Sequence, residues 1–225
     1  INDADGNSET TTDQSYVSGW NIELWDSAKT NILNETVTST DGTYTFTNIL
    51  PGTYRVKAVL KAGWAVLTVS EQEVVVSAGE NKTDVNFINY KEGSIKVVKN
   101  VDGNGDGDLD DDVDTIGSSD WSWAINDENV GSTGTTKSDL IPGTYTIKET
   151  GGLSNFHFVS LSCSGSQGIT YPTPGIASIE LRSGEDVICT YTNSRDLGTL
   201  IVKKVVVNDN GGNLEAKDFS FQIDS

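Results

Sequence analysis

Apolar and polar residues alternate in short runs along the chain, punctuated by Gly, Asn, Asp and Ser, and no sustained helical period stands out. The alternation predicts strands at WNIELW (20–25), GTYTFTNI (42–49), GTYRVKAV (52–59), EVVVSAG (73–79) and SIKVVK (94–99). It predicts further strands at DWSWAIN (120–126), GTYTIKET (143–150), SIELRSG (178–184) and VICTYTN (187–193). Strands this closely spaced make an all-β protein built of sandwiches. Two elements recur: LPGTYRVKAV (50–59) returns as IPGTYTIKET (141–150), and GSIKVVK (93–99) returns as GTLIVKK (198–204). The repeats predict a first domain at 1–90, a second at 93–195 and the opening strands of a third at 198–225. Linkers this short predict a stiff rod. The chain opens inside a loop pattern, INDADGN, and stops inside a strand pattern, FSFQIDS, which reads as a window from a longer protein.

Composition narrows the function. Acidic residues number 33 against 15 Lys plus Arg, a net charge of −18, so the field repels nucleic-acid phosphates and anionic membranes. One His, two Cys and no Met leave little for a His-based triad, a zinc site or a haem. No apolar run of roughly 18 residues is available to span a bilayer.

The acid is concentrated. In DGNGDGDLDDDVD, oxygen side chains alternate as in an EF-hand loop, with Asp102, Asn104, Asp106, Asp108 and Asp110 at odd positions and Gly107 at the sharp turn. Val113 stands where that loop has its bidentate Glu, so Asp112 or Asp114 must complete the ligand sphere. Asp3, Asp5 and Asn7 repeat the arrangement more sparsely. The expected ion is Ca²⁺, in a stiffening role; the plain alternative is a solvated acidic turn. Cys163 and Cys189 read as a disulfide in an oxidising compartment, against the alternative of two buried thiols. By parity Trp20, Ile22 and Leu24 face the core, as do Trp121, Trp123 and Ile125, leaving Trp25 as the one candidate sugar platform of its strand. His157 reads as a surface residue.

Taken together, PGTY, SGWNIELWD, STDGTYTFTNILPGTYRVKAV, GSIKVVK and CTYTNS resemble the B-type repeats of bacterial surface adhesins and pilins, which have a transthyretin-like (inverse immunoglobulin) sandwich. The first domain is similar to the calcium-binding Sdr-type repeats, which implies that Glu9 and Asp13 join Asp3, Asp5 and Asn7. The second is similar to the collagen-adhesin B-type and SpaA-like repeats that form an intramolecular isopeptide bond. Such a bond needs a neutral amine, a carboxamide and a proton-shuttling acid in an apolar core, where burial lowers a lysine pKa and raises a carboxyl pKa. The resemblance assigns these roles to Lys99, Asn193 and Glu149. Strand parity agrees, placing Lys99 with Ile95 and Val97, Glu149 with Tyr145 and Ile147, and Asn193 with Cys189 and Tyr191. The bland alternative is three strand-end polar residues reaching solvent. Ala58 occupies the position of Glu149 in the first domain, which is therefore expected to lack the bond; Asn89 matches Asn193, and Lys204 matches Lys99.

These features imply a non-enzymatic stalk or fibre segment of a secreted or cell-wall protein, whose only chemistry is a single self-crosslinking turnover. Its expected partners are neighbouring repeats of the same or an identical chain. The rival is an adhesin module that binds a host protein or glycan.

Overall fold

The computed structural model describes residues 1–109 and 118–222. Among the described residues strands dominate, and the helices are two 3₁₀ turns, Ser118–Asp120 and Ala216–Asp218. The first strands are β1 (Asn21–Asp26), β2 (Ile32–Val37), β3 (Gly52–Ala58), β4 (Trp64–Val66), β5 (Glu71–Val76) and β6 (Asn89–Lys91). They form a four-stranded sheet, β2-β1-β3-β5, and a two-stranded sheet, β4-β6. Between them lies a core of Trp20, Ile22, Leu24, Val56, Ala58, Val74 and Phe87.

The chain then runs through β7 (Gly93–Asp102), β8 (Ser122–Ile125), β9 (Glu128–Ser132), β10 (Thr136–Leu140) and β11 (Gly143–Glu149). It finishes in β12 (Phe156–Ser164), β13 (Gly168–Thr173), β14 (Ile176–Leu181) and β15 (Asp186–Arg195). A sheet ordered β10-β7-β15-β12 packs against one ordered β13-β14-β11-β8-β9. The side chains between them, including Ile95, Val97, Trp123, Ile147, Ile179, Val187 and Tyr191, form a second core. The first and last of these long strands, β7 and β15, pair in parallel over their length.

Both cores belong to one compact unit, residues 1–195. Its halves are stitched at Ser183, whose N–H donates to the Ala4 carbonyl (2.9 Å) and whose hydroxyl donates to Asn2 Oδ1 (2.7 Å) while accepting from the Lys91 N–H (2.7 Å). The glycine opening β7 is a matter of space: a Cβ on Gly93 would stand 2.6 Å from the Glu185 carbonyl oxygen.

The repeated PGTY element has a shared bond. Tyr54 donates its hydroxyl to the Leu50 carbonyl and Tyr145 donates to the Ile141 carbonyl, each at 2.7 Å, tying the strand back over the Pro-Gly turn. Removing one such hydroxyl, Tyr145→Phe, is expected to cost about 0.5–1.5 kcal/mol in denaturant unfolding.

Two expectations are corrected. GTYTFTNI (42–49) packs Tyr44, Phe46 and Ile49 against the first core but forms no strand among the described residues. A strand needs a ladder partner, and none lies beside it. The third segment, expected to begin with strands from 198, forms none through 222, only a 3₁₀ turn at Ala216–Asp218. Its Leu200, Ile201, Val205 and Val207 are exposed. An alternating pattern without a sheet to join does not hold strand geometry by itself.

Candidate crosslink site and acidic loops

Lys99, Glu149 and Asn193 meet inside the second sandwich. Lys99 rides on the inward face of β7 after Ile95 and Val97, both fully buried, and Asn193 continues the inward face of β15 after Cys189 and Tyr191. Because Tyr191 pairs with Lys99 and Asn193 with Val101, the two polar side chains are diagonal neighbours on one sheet. Glu149 arrives from the opposite sheet, at the end of β11, where it pairs with Trp123. The Lys99 ammonium donates to Glu149 Oε1, and Asn193 Nδ2 donates to Glu149 Oε2 at 2.9 Å. One carboxylate therefore holds both prospective reactants.

The surroundings are dry. The Lys99 side chain is 0% exposed and that of Glu149 14%. Burial pushes the Lys99 amine below its ordinary pKa, opposed by the Glu149 carboxylate. Asn193 Oδ1 is buried with no hydrogen-bond partner. Sequence reasoning missed two wall residues: the Lys99 nitrogen lies 4.7 Å from the Trp121 ring centre and 5.9 Å from that of Tyr191. Trp121 was legible only as core, because nothing in a parity argument says which polar group a ring will cover. Tyr191 is itself pushed up by burial and the Glu149 charge, and donates to the Gly175 carbonyl at 3.0 Å. In the first sandwich, Ala58 pairs with Ile22 as Glu149 pairs with Trp123, so a buried methyl group replaces the acid.

Cys163 and Cys189 stand opposite each other on β12 and β15 and are joined as a disulfide.

The acidic loops divide differently from their sequence appearance. In the sparser one, carboxylate oxygens of Asp3, Asp5 and Asp13 all lie within 4.8 Å of one another. Asp3 is fully buried and accepts from the Gly6 N–H and Gln14; Asp13 Oδ1 is buried without a partner. Desolvation pushes the Asp3 carboxyl up. Asn7 and Glu9 serve the turn, the Asn7 side chain accepting from the Glu9 N–H. In the richer loop, Asp102 Oδ1 accepts from Gly105 N–H and Oδ2 from Gly107 N–H and the Ser194 hydroxyl. Those bonds, led by Ser194, hold the Asp102 carboxyl below its usual range. Asn104 accepts from Asp106 N–H, and Asp106 from Asp108 N–H, a ladder of side-chain turns. Among the described residues these carboxylates form no cluster like the first. Asp110, Asp112 and Asp114 lie outside the described residues. Trp25 is half-buried and donates to Glu23 Oε2.

Comparison with known proteins places these folds. Residues 91–191 match the family model of a prealbumin-like fold domain of the SpaA type, and residues 5–89 match that of the second β-sandwich domain of the NOMO1-like BOS complex subunit. The 91–191 segment is thus similar to SpaA-type prealbumin-like domains. For the first segment the match is to a β-sandwich of another kind of protein than the Sdr-type repeat. No curated protein sequence matches the chain. Similar solved structures include GBS52, the minor pilin of Streptococcus agalactiae, at 13% identity, covering 87% of this chain and 91% of that one, TM-score 0.31. A Mobiluncus mulieris adhesin containing disulfide, isopeptide and ester cross-links is 12% identical, covering 82% of this chain and 87% of that one, TM-score 0.30. The major pilin of Streptococcus pyogenes is 13% identical, covering 81% of this chain and 94% of that one, TM-score 0.29.

Proposed function

We propose that the chain is a load-bearing segment of a stalk or fibre on a secreted or cell-surface adhesin or pilin, locked by an amide between Lys99 and Asn193 and stiffened by calcium. The observation that carries this reading is the dry Lys99, Glu149 and Asn193 cluster, in which one carboxylate touches both amine and carboxamide. The chemistry balances. Glu149 takes a proton from the Lys99 ammonium, and the freed lone pair attacks Asn193 Cγ. The carbonyl electron pair moves to Oδ1, to which the protonated Glu149 can donate once the carboxamide turns. Glu149 then moves a proton from the attacking nitrogen to Nδ2, the C–N bond breaks, and ammonia leaves as the new amide forms. The reaction also converts a fully buried ammonium, costly to hold away from water, into a neutral amide.

The consequence is mechanical. The amide would join the first and last strands of the sandwich, and force entering through β7 would leave through β15 without loading the rest. The disulfide supports an oxidising, extracellular setting. Intact mass spectrometry is the test: the wild type should weigh about 17 Da less than its sequence for ammonia and about 2 Da less for the disulfide. Glu149→Ala should keep the ammonia. A wild type lacking only the 2 Da overturns the proposal.

Calcium fits the first loop, where three converging carboxylates and the unpartnered Asp13 oxygen offer a hard cation the charge-dense oxygen donors it prefers. Asp3, Asp5 and Asp13 would hold it; bound there, it would cancel their repulsion. The same stretch carries Asn2 and Ala4, which bond to Ser183, so order in this loop would stiffen the junction between the halves. Calorimetry should lose one binding event in Asp13→Asn, and a chelator should lower the melting temperature of the wild type more than that of the variant. Equal melting with and without chelator in both would remove calcium from the proposal.

A further inference from the structure

The strands that carry Lys99 and Asn193 pair in parallel, and their apolar alternation does not fix how they pair. Shifting β7 by two residues along β15 keeps Ile95, Val97 and Lys99 facing inward beside Val187, Cys189 and Tyr191, because side chains repeat every second residue. Such a shift would carry Lys99 about 6–7 Å along the strand relative to Asn193. Glu149 stands on the opposite sheet, so at least one of the two would leave its carboxylate.

The neighbouring ladders give little help at this end of the pair. β10 pairs with β7 from Gly93 to Lys96, and past Val97 the described residues give β7 no ladder but β15. On the far side of β15, the pairing with β12 is irregular between Phe158 and Ser160, which is where Asn193 and Thr192 stand.

Two pairs of side chains on the outward face do distinguish the registers. Ser94 is directly across from Asp186, and its hydroxyl donates to Asp186 Oδ1 at 2.6 Å. At the other end Ser194 is directly across from Asp102 and donates to Oδ2 at 2.8 Å. The roles are exchanged between the ends: serine is on β7 and aspartate on β15 at the start, and the reverse at the finish. Asp102 and Ser194 are both buried, beside Asn193 and three residues past Lys99. The Asp102 carboxylate is aimed by its own loop, whose Gly105 N–H donates to Oδ1 and Gly107 N–H to Oδ2. A buried bond to a charged group is costly to leave unmade, and fixing register is the best-attested use of a buried polar pair.

We infer that Asp102 and Ser194, backed by Ser94 and Asp186, pin β7 and β15 in the register that brings Lys99 and Asn193 together on Glu149. Asp102 and Ser194 are then positioning residues for the crosslink. That consequence rests on the amide reading of the site; the register itself does not.

The full chain is synthesised in a cell-free system and sampled over time by intact mass. Ser194→Ala should slow the loss of ammonia by at least about tenfold, since small misplacements of reacting groups are costly. Ser194→Thr, which keeps the hydroxyl, should react at close to the wild-type rate. Ser166→Ala removes a serine hydroxyl from the Glu180 carbonyl elsewhere in the same sandwich and should leave the rate unchanged. Ammonia lost from Ser194→Ala as fast as from the wild type or from Ser166→Ala overturns the pin. Should Ser194→Ala not fold, Ser94→Ala at the exposed pair carries the same comparison with a smaller slowing expected. Register is read separately by nuclear Overhauser contacts in Lys99→Met, which forms no amide. With both pins present Val98 should contact Thr190 alone on β15's outward face, and with Ser94→Ala and Ser194→Ala added a second set of contacts, to Ile188 or Thr192, should appear. A single register in that chain overturns the inference. A wild type that keeps its ammonia overturns the amide alone, and the contacts then decide the pins.

Discussion

Lys99→Met should melt on the order of 20 °C below the wild type while remaining folded. An amide between Lys99 and Asn193 closes a loop of 94 residues (193 − 99) in the unfolded chain. In the chain-entropy account, which applies to any covalent cross-link, closing a loop of that size is worth about 4–5 kcal/mol. For a sandwich of about 100 residues such as 93–195, melting on its own, each kcal/mol moves the melting temperature by about 4–8 °C. Methionine has nearly the lysine's volume and no charge, and the Glu149 carboxyl it leaves behind is 14% exposed and still accepts from Asn193, so it costs less to leave unpaired than the fully buried ammonium does. Glu149→Ala removes the bond as well but strands the Lys99 ammonium beside Trp121 and Tyr191, which costs several kcal/mol more. The expected order of melting is therefore wild type, Lys99→Met, Glu149→Ala. A Lys99→Met protein that melts with the wild type, or an order with the two variants reversed, would falsify the covalent-lock reading.

Much of this site was legible because a strand has a period of two. Once SIKVVK, TYTIKE and CTYTN are recognised as strands, apolar neighbours fix which face is inward, and Lys99, Glu149 and Asn193 fall on it. What parity does not supply is depth or direction. Trp121 and Trp123 share a face, yet one covers Lys99 and the other donates to Thr135, a difference that depends on how the two sheets are stacked. Ser194 is a similar case: it follows Asn193 in sequence, but its role is to hold Asp102 from the neighbouring strand, which only the parallel pairing places there. The stitching of Ser183 to Asn2, 181 residues apart, leaves no local trace at all.

The misreadings have one cause. GTYTFTNI and GTLIVKK have the composition and alternation of strands, and in isolation they look as good as GTYTIKET. Strand structure is a property of pairs, because half of a ladder leaves its backbone groups to water. Tyr44 and Phe46 still bury their rings against one another edge to face, with centroids 5.9 Å apart, which shows the side-chain pattern acting without the ladder. The acidic loops differ for another reason. Alternating Asp and Asn residues can point outward to a cation or inward to their own backbone amides, and the spacing is the same for both. At 102–108 the described oxygens satisfy N–H groups of their own turn; at 3–13 Asp13 returns from farther along the chain to bring a third carboxylate to the group.

Cys163→Ser combined with Cys189→Val is expected to lower the melting temperature by about 12–24 °C. The bridge closes 26 residues, worth about 3 kcal/mol in the unfolded chain, with the same conversion to temperature. It ties β12, the edge strand of its sheet, to β15. Cys189 lies on the inward face of β15 between Val187 and Tyr191, which is why valine is chosen there and serine for the more accessible Cys163. The 26-residue loop lies inside the span that the amide would close, so the two cross-links constrain overlapping stretches of the unfolded chain. Their effects should therefore add to less than their sum: the cysteine pair should cost more in the Lys99→Met background than in the wild type. Equal losses in both backgrounds would mean that the unfolded chain was never closed at 99 and 193. Two free thiols titrating in the unreduced, denatured wild type would remove the disulfide from the account altogether.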